Sequence, residues 1–214
     1  MKKLAFDIGS NLGKFTKKYL GMGYKIIAVE PNPTIFDQYQ KQFKDIENVT
    51  ALNKAVSSEQ GEIEYYIPNN TKKHEVGTCD KTWFDGRFSG VFNSGYKTIK
   101  IQTISIDELI QTYGEPDFIK IDVEGYELNV VKSMTKKHCP LRYEWTSEIW
   151  DQSILVLKYL KELGYSECNL INGDNTHKTE PKETQWVSID EGIVNYKGLW
   201  NPTINGKWGD VFVR

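Results

Sequence analysis

The sequence contains few cysteines, and their placement excludes two common kinds of cysteine-based site. Cys79, Cys139 and Cys168 are odd in number and lie far apart along the chain. This spacing argues against a disulfide framework and against a Cys-x-x-Cys zinc site. We therefore expect the thiols to be reduced, as they are in the cytoplasm.

Long apolar runs and an excess of one charge are also lacking. No stretch has the length and hydropathy of a membrane span, and none resembles a signal peptide. The 27 basic and 29 acidic residues give a net charge of −2, so the chain as a whole lacks the charge that binds nucleic acid or an anionic membrane. The 214 residues suit one domain with a full core. We predict a single domain over 1–214, with insertions near 69–96 and 172–209.

A strand–turn–helix unit stands at the start of the chain. The apolar run 4–8 contains Asp7 and is followed by Gly9-Ser-Asn-Leu-Gly13, after which apolar residues recur at helical spacing. Gly9 and Gly13 allow a sharp turn and a close approach of the backbone to a ligand, which a Cβ would block. A second strand, 25–29, ends in Glu30, a carboxylate placed to accept hydrogen bonds from both hydroxyls of a ribose. This pattern is typical of the first half of a nucleotide-binding α/β sheet.

The spacing of the glycines favours one class of nucleotide over another. The dinucleotide fingerprint G-x-G-x-x-G is incomplete, because Asn11 occupies the position of the second glycine. Asp7, just before the turn, suits a ligand with a positive group better than one with phosphates. S-adenosylmethionine carries an amino-acid tail, a sulfonium charge and a ribose, so it matches this order of acid, turn and acid. A flavodoxin-like unit with an incidental acid and a nicotinamide-dependent oxidoreductase are the alternatives.

Alternating and helical patterns predict the remaining elements. We expect strands at 48–56, 62–67, 98–103, 118–123, 141–145, 166–171 and 210–214, and helices at 34–43, 105–113, 126–134 and 153–163. Ser105 and Glu108 predict a capping box at the start of one helix. The turn after the third strand would lie against the nucleobase. The candidates for adenine contacts are therefore Asn53, Ala55 and Val56.

A second chemical stretch surrounds a lysine within an apolar strand. Lys120 lies inside strand 118–123, and a lysine buried there must be paired because an isolated charge is costly. Asp122 and Glu124 follow at the carboxyl end of the strand, where open α/β sheets bind ligands. We expect Asp7 to flank Lys120 on one side and Glu144, from strand 141–145, on the other. A purely structural ion network under the ligand is the alternative to a catalytic role.

Five segments, in their order and spacing, resemble the FkbM family of S-adenosylmethionine-dependent methyltransferases. They are Phe6-Asp-Ile-Gly-Ser-Asn-Leu-Gly13, Val29-Glu-Pro31, Lys54-Ala-Val-Ser57, Thr103-Ile-Ser-Ile-Asp107 and Ile119-Lys-Ile-Asp-Val-Glu-Gly-Tyr-Glu127. The resemblance covers roughly residues 4–165. It implies a class I methyltransferase fold, which is a Rossmann-like three-layer α/β sandwich with a mostly parallel seven-stranded sheet. It also implies methyl transfer to oxygen, often a sugar or polyketide hydroxyl, with S-adenosylhomocysteine as the product.

The two chemical stretches supply the predicted site. The predicted cofactor contacts are Asp7, Gly9, Ser10, Asn11, Gly13, Glu30, Pro31, Asn53, Ala55, Val56 and Asp122. The transfer is an in-line displacement that needs an aligned hydroxyl and a base, and the carboxylates that can converge there are Asp122, Glu124 and Glu144. Lys120 would orient one of them or contact the acceptor. The same carboxylates could hold a divalent metal, which we do not favour.

Aromatic residues in the insertions indicate the kind of acceptor. No regular element is predicted within 69–96, and its aromatic content, including Trp83, argues against disorder. We expect a lid or acceptor loop there, with a purely structural excursion as the alternative. Trp150 and His177 are the other expected acceptor contacts, because sugar rings pack on aromatic faces while their hydroxyls bind polar loops. The alternatives are a hydrophobic plug for the tryptophans and a solvated loop side chain for His177. We therefore expect a sugar or glycan acceptor, with a small polyketide-like hydroxyl as the alternative.

A module without catalytic activity, associated with a glycosyltransferase, is a further interpretation. The first strand begins almost at Met1, where many such domains carry a leading segment. We therefore also consider a domain excised from, or fused to, a longer protein. The sequence does not indicate an oligomeric state.

Overall fold

A computed structural model of the chain describes residues 2–69, 76–85, 89–173, 185–197 and 207–214. The strands in these ranges are β1 (Leu4–Ile8), β2 (Lys25–Val29), β3 (Val49–Leu52), β4 (Ala55–Val56), β5 (Glu62–Pro68), β6 (Tyr96–Ile104), β7 (Phe118–Ile121), β8 (Leu141–Thr146), β9 (Glu167–Asn172), β10 (Val187–Ser188) and β11 (Trp208–Val213). The helices are α1 (Lys14–Gly21), α2 (Pro33–Phe43), α3 (Ser89–Phe92), α4 (Ile106–Tyr113), α5 (Glu127–Val131), α6 (Trp150–Glu162) and α7 (Ile189–Lys197).

The central sheet has the order β10-β9-β11-β8-β7-β1-β2-β3. The strands from β8 to β3 in this order all pair in parallel, and β11 runs antiparallel to both β8 and β9. This mostly parallel sheet confirms the predicted class I methyltransferase fold. Within the described residues it has one strand more than the seven expected, because the two-residue strand β10 pairs with β9 at the edge.

Alternating side chains of the sheet are buried under helices on both faces. Phe15 and Tyr19 of α1 and Tyr39 of α2 pack with Ala5 and Ala28 of the strands. On the other face of the sheet, α4, α5 and α6 pack against the strand side chains that point the opposite way. These include Phe6, Ile8, Ile119 and Ile121. The result is the predicted three-layer sandwich, with β1 buried along its whole length.

The predicted strand 48–56 is two strands in two different sheets. β3 belongs to the central sheet, while β4 joins β6 and β5 in a smaller sheet of three strands. Between them, the side-chain amide of Asn53 donates to the backbone oxygens of Glu30 and Pro31, at 2.8 and 3.1 Å. The chain therefore leaves the central sheet at Asn53, whose side chain binds the end of β2.

Several other elements differ from the prediction. A short 3-10 helix (Lys81–Asp85) and α3 lie within 69–96, where no regular element was expected. Helix α5 ends at Val131 rather than near 134, because the amides of Ser133 and Met134 bond three residues back instead of four. The pair β10 and α7 was not predicted, although Ser188 accepts a hydrogen bond from the amide of Glu191 as an N-cap does. The predicted capping box of Ser105 and Glu108 is confirmed.

None of the helices in the described ranges is both long enough and apolar enough to cross a membrane.

Candidate active site

Lys120 lies at the centre of the candidate site and ties β7 to the end of β1. Its side chain is only 6% exposed, and its Nζ donates to the backbone oxygens of Gly9 at 2.6 Å and Ile8 at 3.3 Å. It also lies 3.4 Å from Asp7 Oδ1 and 3.3 Å from Asp122 Oδ2. Burial by itself would lower the pKa of Lys120, but the two carboxylates outweigh it and hold the pKa above the usual value. The lysine is therefore a paired ammonium group, as predicted.

The predicted pairing of Lys120 with Glu144 is wrong. Glu144 was expected beside Lys120 on the neighbouring strand, but the residue opposite Lys120 on β8 is Arg142. The register sets Glu144 two residues further along β8, level with Asp122. The second carboxylate that pairs with Lys120 is therefore Asp122 and not Glu144. Such a shift could not be read from the sequence, because strand boundaries do not fix the register.

Asp7 is completely buried, and its contacts are with the protein itself. Oδ2 accepts a hydrogen bond of 2.7 Å from the Thr16 hydroxyl, which lies 2.7 Å from the Tyr39 hydroxyl. Oδ1 faces Lys120. Asp7 thus links β1, α1, α2 and β7 beneath the glycine turn. Thr16 and Tyr39 were not predicted as parts of this network, and a direct role of Asp7 in cofactor binding stays a prediction.

The glycine turn approaches other parts of the protein very closely. Gly9 and Gly13 have φ values of 70° and 77°, in the left-handed region that favours glycine. A Cβ on Gly9 would lie 1.8 Å from the backbone oxygen of Asp122, and one on Gly13 would lie 2.3 Å from the Phe43 ring. Contacts within the protein therefore already require both glycines, in addition to the predicted approach of a ligand.

Glu30 is held at the end of β2 by backbone amides. Its Oε2 accepts from the amide of Asn11 at 2.8 Å, and its Oε1 accepts from the amide of Asn32 at 2.9 Å. Burial raises the pKa of Glu30 to about 7, although the two amides act against this shift. A carboxylate oxygen can accept more than one hydrogen bond, so the two ribose hydroxyls predicted for this position fit the group.

Three carboxylates converge near the carboxyl ends of β7 and β8. One oxygen from each of Asp122, Glu124 and Glu144 lies within 4.8 Å of the other two. Glu124 has a φ of 56°, which is unusual for a residue with a side chain. Burial, followed by repulsion from Asp122 and Glu124, raises the pKa of Glu144 well above its usual value. This carboxylate cluster brings together all three predicted bases, and it could accept a proton or coordinate a hard cation.

Glu127 is a buried acid that was not among the predicted site residues. It is 5% exposed, and its Oε1 accepts a hydrogen bond of 3.0 Å from the amide of Val123. Burial raises its pKa to about 7. Its position in the Lys-x-Asp-x-Glu-Gly-x-Glu run was the signal available in the sequence, but a helical glutamate is usually exposed.

The predicted aromatic acceptor contacts lie in packed surroundings. Trp83 is 3% exposed, and its ring lies against Gly125, where a Cβ would be 2.8 Å from it. Trp150 is also 3% exposed and packs edge-to-face on Trp145. His177 lies outside the described residues. Acceptor binding by these three residues stays a prediction, and for the two tryptophans it would require part of the ring to become exposed.

The remaining predicted cofactor contacts lie just after β1, β2 and β3 or in β4. Ser10, Ala55 and Val56 are buried, and Pro31 is partly exposed. The amide of Asn53 is occupied by the backbone of the β2 end, so it supports the position of Glu30. Contacts of these residues with adenine or the amino-acid tail remain predictions.

Comparison with known proteins gives consistent matches. Residues 7–167 match the family described as "Methyltransferase FkbM domain". Hexuronic acid methyltransferase AglP of Haloferax volcanii is 34% identical over 138 residues, which are 61% of this chain and 49% of that protein. Methyltransferase sdnD of Sordaria araneosa is 28% identical over 177 residues, which are 69% of this chain and 66% of that protein. The chain thus spans from about half to about two thirds of the length of these relatives.

Among solved structures, precorrin-6y C5,15-methyltransferase from Geobacter metallireducens superposes with a TM-score of 0.49 and 13% identity, covering 99% of this chain and 79% of the other.

Proposed function

Because the chain belongs to the FkbM family of methyltransferases, we propose that it uses S-adenosylmethionine to methylate a hydroxyl group of a carbohydrate or glycan. The observation that carries this proposal is the position of the carboxylate cluster directly beside the glycine turn. The backbone oxygen of Asp122 lies 1.8 Å from the position that a Cβ on Gly9 would occupy. A base in this cluster is therefore next to the turn that would hold the cofactor.

In this proposal the cofactor lies along the carboxyl ends of β1, β2 and β7. The ribose hydroxyls donate to Glu30, whose position is supported by Asn11 and Asn53. The adenine lies near Ala55 and Val56. The amino-acid tail and the sulfonium lie over the glycine turn, where the nearby carboxylates favour a positive charge.

The protein acts on the acceptor by alignment and proton removal. S-adenosylmethionine supplies an electrophilic methyl group on a positively charged sulfur. The residues of the crevice align the acceptor hydroxyl behind that group, and a carboxylate accepts the hydroxyl proton. Glu144 is the proposed proton acceptor, because Asp122 is ion-paired with Lys120, whereas burial and the neighbouring carboxylates raise the pKa of Glu144 and so make its ionised form the stronger base.

The carbohydrate acceptor is supported by one relative and by the aromatic residues near the crevice. AglP is named as a hexuronic acid methyltransferase. Trp83 packs against Gly125, next to Glu124 of the carboxylate cluster. We propose that the insertions near 69–96 and 172–209 of this single domain form the acceptor site.

The test has two stages, cofactor binding and methyl transfer. Calorimetry should detect binding of S-adenosylmethionine to the wild-type chain. Mass spectrometry should then detect a methyl gain in at least one member of a panel of neutral glycans, hexuronic acid glycans and polyketide-like alcohols. Methyl gain only in the polyketide-like alcohols would mean that the acceptor is such an alcohol and not a carbohydrate. The absence of cofactor binding would overturn the proposed function.

A variant connects the transfer to the carboxylate cluster. Asp122→Asn should reduce methyl transfer by about a hundredfold, the upper range for loss of an acid–base group or its orientation. Asp37→Asn, on an exposed part of α2, is the matched control and should leave transfer unchanged. Equal rates in the two variants would contradict a role for the cluster.

A further inference from the structure

The carboxylate of Glu127 turns back into the loop that precedes its own helix. It accepts a hydrogen bond from the amide of Val123, and the amides of Gly125 and of Glu127 itself also stabilise its charged form. The side chain is almost completely buried. It is therefore anchored to the backbone amide that precedes Glu124, and it points inward rather than to solvent.

The loop around Glu124 has a conformation that needs such support. Glu124 and Gly125 have consecutive positive φ values of 56° and 93°. A residue with a side chain adopts this region only when its surroundings hold it there. The buried ring of Trp83 lies against Gly125, where an added Cβ would be 2.8 Å from it, so the loop contacts both Trp83 and Glu127.

Asp122, at the start of the same loop, is held by a different set of contacts. Its amide donates to the backbone oxygen of Ile8 at 3.1 Å, and its carboxylate lies 3.3 Å from Lys120. These contacts come from β1 and β7 and do not involve Glu127. Asp122 and the residues around Glu124 are thus held by separate sets of contacts.

We propose that Glu127 is a positioning residue that fixes the loop at Val123–Gly125 and so holds Glu124 in the carboxylate cluster. It acts through the backbone amides and does not touch the acceptor. The consequence for methyl transfer rests on the proposed function, whereas the fixing of the loop does not. Loss of Glu127 should therefore affect turnover more than cofactor binding.

The experiment compares the whole chain with Glu127→Ala, Glu127→Gln and the control Ser133→Ala. Ser133 accepts a buried hydrogen bond from the amide of Ile106 just beyond the other end of α5, so its loss also removes an acceptor for a buried amide. Amide hydrogen exchange of Val123 and Gly125 is measured by NMR. The dissociation constant for S-adenosylmethionine, and kcat and KM with the acceptor identified by the panel, are measured for the same proteins.

We expect exchange at Val123 and Gly125 to become at least about tenfold faster in Glu127→Ala. Glu127→Gln, which keeps one carbonyl acceptor, should lie between this variant and wild type. The kcat of Glu127→Ala should fall at least about tenfold while the cofactor dissociation constant changes less than about threefold. Ser133→Ala should lower the melting temperature without any of these changes.

Two results would overturn the proposal. One is unchanged exchange at Val123 and Gly125 in Glu127→Ala, and the other is an equal loss of kcat in Ser133→Ala. Because the exchange measurement needs no acceptor, failure to find one would count against the proposed function alone.

Discussion

Lys120 and Arg142 occupy directly paired positions on the parallel strands β7 and β8, and both are buried. Two neighbouring cations would repel each other unless each had its own counter-ion. Lys120 lies between Asp7 and Asp122, whereas Arg142 donates to Asp210 at 2.8 Å. Asp7 lies level with Lys120 on β1, and Asp122 and Glu144 follow the two cations two residues further toward the carboxyl ends of β7 and β8. This order of charge explains how the sheet can present several acids to the crevice.

Replacement of Lys120 by methionine should destabilise the protein strongly. The change leaves Asp7 buried without its cation and removes the donor to the Gly9 oxygen. Removal of one partner of a buried ion pair typically costs about 3–5 kcal/mol. The free energy of unfolding, measured with urea, should fall by about this amount. Lys136→Met, the same change at an exposed site, should have little effect, and similar values for the two variants would refute the supporting role of Lys120.

The burial of Glu30 should make stability fall as the pH rises. Its pKa is about 7 in the folded chain and 4.5 ordinarily, so the folded state binds the proton more tightly. The contribution of Glu30 to the free energy of unfolding is therefore greatest below about pH 4.5, decreases as the pH rises to about 7, and is constant above that. A shift of this size corresponds to about 3 kcal/mol.

The matched variant for this prediction is Glu30→Gln, which cannot titrate. Urea denaturation of both proteins between pH 5 and pH 8 gives the difference in unfolding free energy at each pH. The wild type should lose stability relative to Glu30→Gln across this range, because other buried acids such as Glu127 are common to both proteins. A constant difference would show that Glu30 ionises normally in the folded chain.

The parts of the site that were predictable depend on local patterns and general energetics. The apolar run before Gly9 and the helical spacing after Gly13 predicted the turn, because strand and helix periods can be read over a few residues. The pairing of Lys120 with Asp7 was predictable because a buried lysine requires a counter-ion. Likewise, the identical segments Ser105-Ile-Asp-Glu108 and Ser188-Ile-Asp-Glu191 both cap helices, although only the first was recognised.

The parts that were not predictable depend on contacts between distant segments. Glu144 could not be placed level with Asp122, because a slip of the β7–β8 register leaves the sequence pattern of each strand unchanged. The contact of Gly9 with the Asp122 backbone joins residues more than a hundred positions apart. The burial of Glu127 depends on the turn at Glu124, which has a left-handed conformation that a glutamate seldom adopts.

We expect methyl transfer to proceed without a divalent metal. The cluster of Asp122, Glu124 and Glu144 has the ligand type that hard cations prefer. However, the ammonium group of Lys120 lies 3.3 Å from Asp122 Oδ2 and already neutralises one of the three carboxylates. Activity should therefore be unchanged after treatment with EDTA, and magnesium should not shift the melting temperature. Loss of activity with EDTA that magnesium or manganese restores would instead establish a metal-dependent enzyme.

The close contact at Gly9 should make this position far more sensitive than another glycine of similar conformation. Gly9 and Gly23 have φ values of 70° and 84°, so alanine is strained at both, by roughly 1–2 kcal/mol. At Gly23 nothing lies within 4 Å of the added methyl group, whereas at Gly9 it would overlap the Asp122 oxygen at 1.8 Å. Gly9→Ala should therefore lower the unfolding free energy by more than about 4 kcal/mol or prevent folding. Equal losses in urea denaturation would mean that backbone strain alone, and not the packing of β1 on Asp122, requires glycine at this turn.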